Sequence, residues 1–244
     1  MEKNFFRKMP WYTIPSVTLG ASLLLAVICD YRNGNSTVSD YKPMSFEFAK
    51  LCISDKCDED IVLAKGQIVA STFDDFIKFI EDQSLDNKKA TICFDSPGGL
   101  NESAFNVGKE ISKRGYNTCV SKNYLSSSGE KISNAECNSV CPFVFLSGEN
   151  RRLIGSDFFL GVHSSGDHIK LCGCKISTDD LSGDQAIKES FIKLLADYKI
   201  LNLKWKPISN ERVLINKIFE IPHDSLRNIS INTVREHKLA TSFE

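Results

Sequence analysis

Residues 90–120 read ATICFDSPGGLNESAFNVGKEISKRGYNTCV, and they decide the fold. Ala90 to Phe94 is a short, uninterrupted apolar run of the kind buried on both faces in a parallel sheet. SPGG follows at once. Asn101 to Arg114 then sets Ala104, Val107 and Ile111 at helical spacing, and Gly115 stops the helix. Asn117 to Val120 is a second short strand. Upstream, Ile61 to Val69 (IVLAKGQIV) is a β-rich run, and TFDDFIKFIED from Thr72 places Phe73, Phe76, Ile77 and Ile80 on one helical face. Thr72 with Asp75 three residues on reads as a capping-box start. Two successive strand–helix–strand units predict a parallel α/β fold.

Downstream, KNYLSSSGEKISNAE between Cys119 and Cys137 is polar and reads as an exposed loop held at its base by those cysteines, either a linker or an active-site flap. CNSVCPFVFLSG, Cys137 to Gly148, follows. Proline is tolerated in a helix only in its first turn, so Pro142 predicts a helix over Val140 to Ser147 ended by Gly148, with Ser139 at or just before its start. Two readings of Ser139 stay open there: a simple N-cap, or a hydroxyl placed where backbone N–H groups and the helix dipole meet a developing negative charge. Asp157 to His163 (DFFLGVH) reads as a strand ending in a histidine. Gly183 to Ile200 is an amphipathic helix through Ile187, Phe191, Leu194, Leu195 and Tyr198. The tail has a turn, Ser230 as an N-cap and a last short helix.

The chain has 244 residues, 42% hydrophobic and 25% charged, enough for one globular domain with a sizeable core. A net charge of −1 gives no sign of nucleic-acid binding. Trp11 to Cys29 carries no charge over a length able to span a bilayer, and Lys3, Arg7 and Lys8 precede it. This predicts a single-pass anchor (11–29) with a basic cytoplasmic flank (1–10), a polar tether (30–42) and an exported, periplasmic or otherwise extracytoplasmic domain (43–244). A cleaved signal peptide is the rival reading, but no A-x-A site follows the apolar stretch. Cys29 also raises lipidation, against which Ile28 before it is bulky.

Nine cysteines are many for a chain of this size, and eight lie beyond residue 29, an even number in a compartment where disulfides persist. Zinc is the weaker account, because no CxxC pair occurs. Pairing is not legible from the sequence alone.

SPGG after a buried strand, Ser139 at a helix start and His163 at a strand end together resemble the ClpP/crotonase superfamily, and most of all its ClpP-like exported branch. The likeness rests on DSPGGLNESAFNVGKEISKRG, CNSVCPFVFLSGENRRLIGSDFFLGVH and DSLRNISINTVREHKLATS, and it covers about Ile61 to Thr241. It implies a ClpP/crotonase-like fold and a serine peptidase that works through an acyl-enzyme without a cofactor. Ser139 would be the nucleophile and His163 the base that takes its proton. Gly99 and Val140 would supply the backbone N–H groups of the oxyanion hole. Asp224 falls in the stretch of the family's triad aspartate after a gap of about two residues; a solvated turn residue is the competing reading. Signal peptide peptidase A, a relative with similar topology, uses a lysine base, whereas GVH here points to histidine. The CxSxC pattern looks like the exported branch, where the cysteines would brace the nucleophile loop. An exported enzyme has no ATP at hand, so the substrate implied is a peptide or an already unfolded chain, and a homo-oligomer is compatible with the family. The alternatives are a non-catalytic ClpP-like binding or assembly module and a crotonase-type acyl-CoA enzyme.

Overall fold

A computed structural model of the chain describes residues 41–243 apart from 55, 87, 156, 157, 165, 166, 172, 173, 179 and 180. The apolar segment Trp11–Cys29, its basic flank and most of the tether lie outside the described residues, as does Cys172. Among the described residues no helix is long and apolar enough to cross a membrane.

The strands are β1 (Ser45–Ile53), β2 (Lys56–Lys65), β3 (Thr91–Asp95), β4 (Asn117–Val120), β5 (Tyr124–Ser126), β6 (Lys131–Ile132), β7 (Cys137–Asn138), β8 (Arg151–Leu153), β9 (Leu160–Val162), β10 (Asp167–Leu171), β11 (Cys174–Thr178), β12 (Arg227–Asn228) and β13 (Ser242–Phe243). The helices are α1 (Thr72–Asp82), α2 (Asn101–Arg114), α3 (Cys141–Phe145), α4 (Leu181–Leu201), α5 (Glu211–Phe219) and α6 (Ile231–Glu236). An eight-stranded sheet runs β13-β8-β4-β3-β2-β1-β5-β6. Its strands from β2 through β3, β4 and β8 to β13 are parallel, and β1, β5 and β6 add antiparallel pairings. A second sheet has the order β12-β9-β7, with β7 and β9 parallel. The hairpin of β10 and β11 belongs to a separate compact unit.

The architecture is therefore mixed α/β with a parallel centre, as the strand–helix–strand pattern predicts. In β3, Ile92, Cys93 and Phe94 are all buried, which is why that strand reads as an unbroken apolar run. α2 keeps the predicted bounds, buries Ala104, Val107 and Ile111, and ends on Gly115 at φ 64, where a side chain would be strained. Each fully buried Leu, Ile or Phe in this core is worth about 1.5–3 kcal/mol of transfer free energy.

Several expectations change. Thr72 is the first residue of α1 and Ser71 its N-cap, with no side-chain cap bond. The Thr72 hydroxyl instead accepts from the Val69 N–H at 2.8 Å, so no capping box forms. The sheet gains β1, which buries Ala49 and Leu51 and packs Phe46 on Phe76 and Phe79 of α1. The polar stretch after Cys119 is not a free loop: β5 pairs with β1, and Tyr124 is fully buried. α5 carries no strong sequence signal, yet it buries Leu214, Ile215 and Ile218.

Three disulfides are present among the described residues. Cys52–Cys57 closes the β1–β2 turn, Cys93–Cys119 joins β3 to β4, and Cys137–Cys141 spans Ser139. Cys119 and Cys137 are thus not joined to each other. The parallel register sets Cys93 directly opposite Cys119, which leaves Cys137 to the residue one helical turn ahead.

Candidate active site

The SPGG loop leaves β3 and is held from both sides. Ser96 forms a parallel bridge with Cys137, through Ser96 N–H to Glu136 O at 2.6 Å and Asn138 N–H to Ser96 O at 2.9 Å. On the other side, Ile68 N–H donates to Gly98 O at 2.8 Å and Leu100 N–H donates to Ile68 O at 2.9 Å. In such a bridge the residue between the two bonds turns its own N–H and C=O to the opposite edge. Gly99 is that residue, and its N–H makes no backbone bond among the described residues. Its φ of 145 and the 2.0 Å that would separate a Cβ from Ile68 O leave glycine as the residue that fits.

Ser139 stands at φ 61, in the left-handed region that residues other than glycine rarely occupy. Its N–H donates to Gly161 O on β9 at 2.7 Å, fixing the backbone. Its hydroxyl is half-buried and makes no hydrogen bond among the described residues. The helix after it is shorter than expected: α3 spans Cys141–Phe145, with Val140 as N-cap, Pro142 in the first turn and no side-chain cap bond. Ser139 therefore does not cap it, and the simple N-cap reading is excluded. Val140 N–H likewise makes no backbone bond among the described residues. Among the described residues, the two N–H groups expected to serve an oxyanion are thus both free of backbone bonding.

His163 follows β9 by one residue, so the bond from Ser139 N–H to Gly161 O brings its chain segment alongside the serine. The imidazole is half-buried, and its Nδ1 lies 2.5 Å from Ser164 O. A carbonyl only accepts, so Nδ1 carries the proton and Nε2 keeps its lone pair, the tautomer a general base requires. Burial pushes the ring below the usual histidine value; the Ser164 carbonyl opposes this, and His223 adds to it. No hydrogen bond joins His163 to the Ser139 hydroxyl among the described residues; such bonds are often long in unliganded sites.

Asp224 does not take up the expected place. It is exposed in the turn closed by Ser225 N–H to Pro222 O, its carboxylate accepts from the Ser225 hydroxyl at 3.4 Å, and no hydrogen bond ties it to His163 among the described residues. The residue before it is the one that reaches the site. The rings of His223 and His163 meet edge to face with centroids 4.9 Å apart, and His223 Nδ1 donates to the same Ser164 carbonyl at 3.1 Å. His223 is separated from His163 by 60 positions, and no spacing rule in the sequence ties the two together.

Asn138 is a second residue that the sequence did not mark. It is 5% exposed and its Oδ1 has no partner among the described residues. A Cβ at Gly161 would come within 2.2 Å of that oxygen, which is why β9 carries glycine opposite β7. On the far flank of the SPGG loop, a cavity of about 780 Å3 is lined by Tyr41, Lys65, Asp95, Pro97 and Glu136, among others. Burial and the neighbouring Glu136 raise the Asp95 carboxyl above its usual range, against Lys65 and a bond from the Glu136 N–H. No group of three or more metal-ligating side chains occurs among the described residues.

The fold and site define an α/β protein in which a serine at positive φ lies against the glycine loop that follows β3. No protein-family model matches the chain, and no curated protein matches it. Among solved structures it is similar to a mutant of the membrane-bound stomatin-specific protease 1510-N, with 13% identity, 75% of this chain and 77% of that chain covered, and a TM-score of 0.47. At that level of likeness no residue role passes from that protein to this one.

Proposed function

We propose that this chain is a ClpP-like serine peptidase, anchored in a membrane by Trp11–Cys29, with its catalytic body on the exported side. The observation that carries the reading is Ser139: a left-handed residue that lies against Gly98 of the glycine loop, whose hydroxyl makes no hydrogen bond and whose neighbours Gly99 and Val140 have N–H groups without a backbone bond among the described residues. A serine on a strained turn, with donors waiting where an oxyanion would form, suits acyl transfer.

In this mechanism His163 Nε2 accepts the Ser139 proton as Oγ attacks a substrate carbonyl. Gly99 N–H and Val140 N–H stabilise the oxyanion, and the proton passes from His163 to the departing amine. Water, deprotonated by His163, then releases the acyl group. Losing one such donor typically costs about 2.7–4 kcal/mol of transition-state stabilisation. Peptides or unfolded chains are the substrates proposed, and neither ATP nor a cofactor enters.

A second reading, a non-catalytic ClpP-like module, draws on the separation of Asp224 from His163. A fluorophosphonate decides between them. The peptidase reading expects stoichiometric labelling of the full-length chain, absent in Ser139→Ala; equal labelling of both, or of neither, overturns it.

A further inference from the structure

We propose that His223 is the residue that positions His163, so that a histidine pair on one carbonyl takes the place of a histidine–carboxylate pair. The inference rests on the reading of His163 as the general base.

The geometry is specific. Ser164 O receives Nδ1 of His163 at 2.5 Å and Nδ1 of His223 at 3.1 Å, and the two rings stand at 72° to each other. A carbonyl oxygen has two lone pairs, so both donors are accommodated, and both rings are fixed in the Nδ1–H tautomer. The edge-to-face contact then sets the rotation of the His163 ring about its last torsion, the freedom a triad carboxylate would otherwise remove. An aspartate beside a histidine stabilises the imidazolium, whereas His223 does the reverse, because a second positive charge at this distance repels the first.

Among the described residues, the charged groups nearest in the chain and on the paired strand are exposed. Arg227 of β12 lies opposite Val162 and is exposed. Glu220, which caps α5, and Asp224 flank His223 in the chain and are also exposed. Glu136, before β7, faces Asp95 and Tyr41. Among the described residues His223 is the one whose charge acts on His163.

The test is an imidazole 15N titration of the full-length chain in detergent, for the wild type, His223→Asn and His223→Ala, alongside phosphonate labelling rates across pH. Asparagine keeps an N–H at the Nδ1 position and loses the charge; alanine loses both. Both wild-type rings are expected in the Nδ1–H form at high pH. In His223→Asn the His163 titration is expected at higher pH than in the wild type, because the neighbouring positive charge is gone. His223→Ala should slow labelling at high pH by about tenfold, and His223→Asn should restore part of that loss. An unchanged His163 titration in His223→Asn, or an Nε2–H tautomer in the wild type, overturns the proposal, as does wild-type labelling by His223→Ala. If no protein labels, the peptidase reading fails, and the titration still decides the histidine pair.

Discussion

Gly98 lies against Ser139: a Cβ placed on Gly98 would come within 2.5 Å of the serine Cβ and 3.2 Å of its Oγ. The glycine loop after β3 and the serine before α3, some 40 residues apart in the chain, therefore form one surface.

The first prediction follows from that contact. Gly98 also has φ 93, so Gly98→Ala combines backbone strain with a clash against the nucleophile. Phosphonate labelling should fall by roughly a hundredfold or more, the scale of losing an oxyanion donor. Labelling within a few-fold of wild type would show that the loop is not part of the site.

The Cys137–Cys141 bridge encloses Asn138, Ser139 and Val140, and it limits how far the serine can relax from its left-handed conformation. For so small a loop the chain-entropy contribution is about 2 kcal/mol. Replacing both cysteines by alanine should lower Tm by about 4–8 °C and slow labelling of Ser139. The melting curve and the labelling rate check the two parts separately.

His163 supplies a pH dependence whose sign is fixed. Its folded-state value lies below that of the unfolded chain, so between the two the unfolded state binds more protons. Stability from this group is complete above about 6.5 and is lost as pH falls through the lower folded value. Tm measured from pH 8 to 5 should fall less steeply in His163→Asn than in the wild type.

Arg151 is fully buried and has no carboxylate partner among the described residues; burial lowers its guanidinium to about 10. It donates to the carbonyls of Leu239, Gly148, Lys206 and Lys238 and stacks over Trp205, tying the C-terminal segment to β8. Arg151→Leu leaves these carbonyls unsatisfied, at about 1–3 kcal/mol for each that finds no new donor. Chemical denaturation should show a loss of at least about 3 kcal/mol, or no folded protein at all.

Asp224→Asn is expected to change labelling by less than about threefold, because the carboxylate turns to Ser225 and not to His163. A loss of about a thousandfold or more would restore Asp224 as the third member of a triad.

The strand–helix–strand core was legible because its cues are local. An unbroken apolar run marked β3, a short strand after Gly115 marked β4, helical spacing marked α2, and Gly115 marked the stop, each set by neighbours a few residues away. Gly99, Ser139 and Val140 are candidates that the motif order along the chain offers without the structure. The disulfide partners, the burial of Tyr124 and the choice between Asp224 and His223 were not, because each depends on register or on which side of a turn faces inward. Local sequence determined which segments become strands and helices and which serine stands before a helix. Only the tertiary structure decided that a histidine, one position from the expected aspartate, shares a carbonyl with His163, since contact across 60 residues is set by packing of α5 and its turn and leaves no trace in spacing.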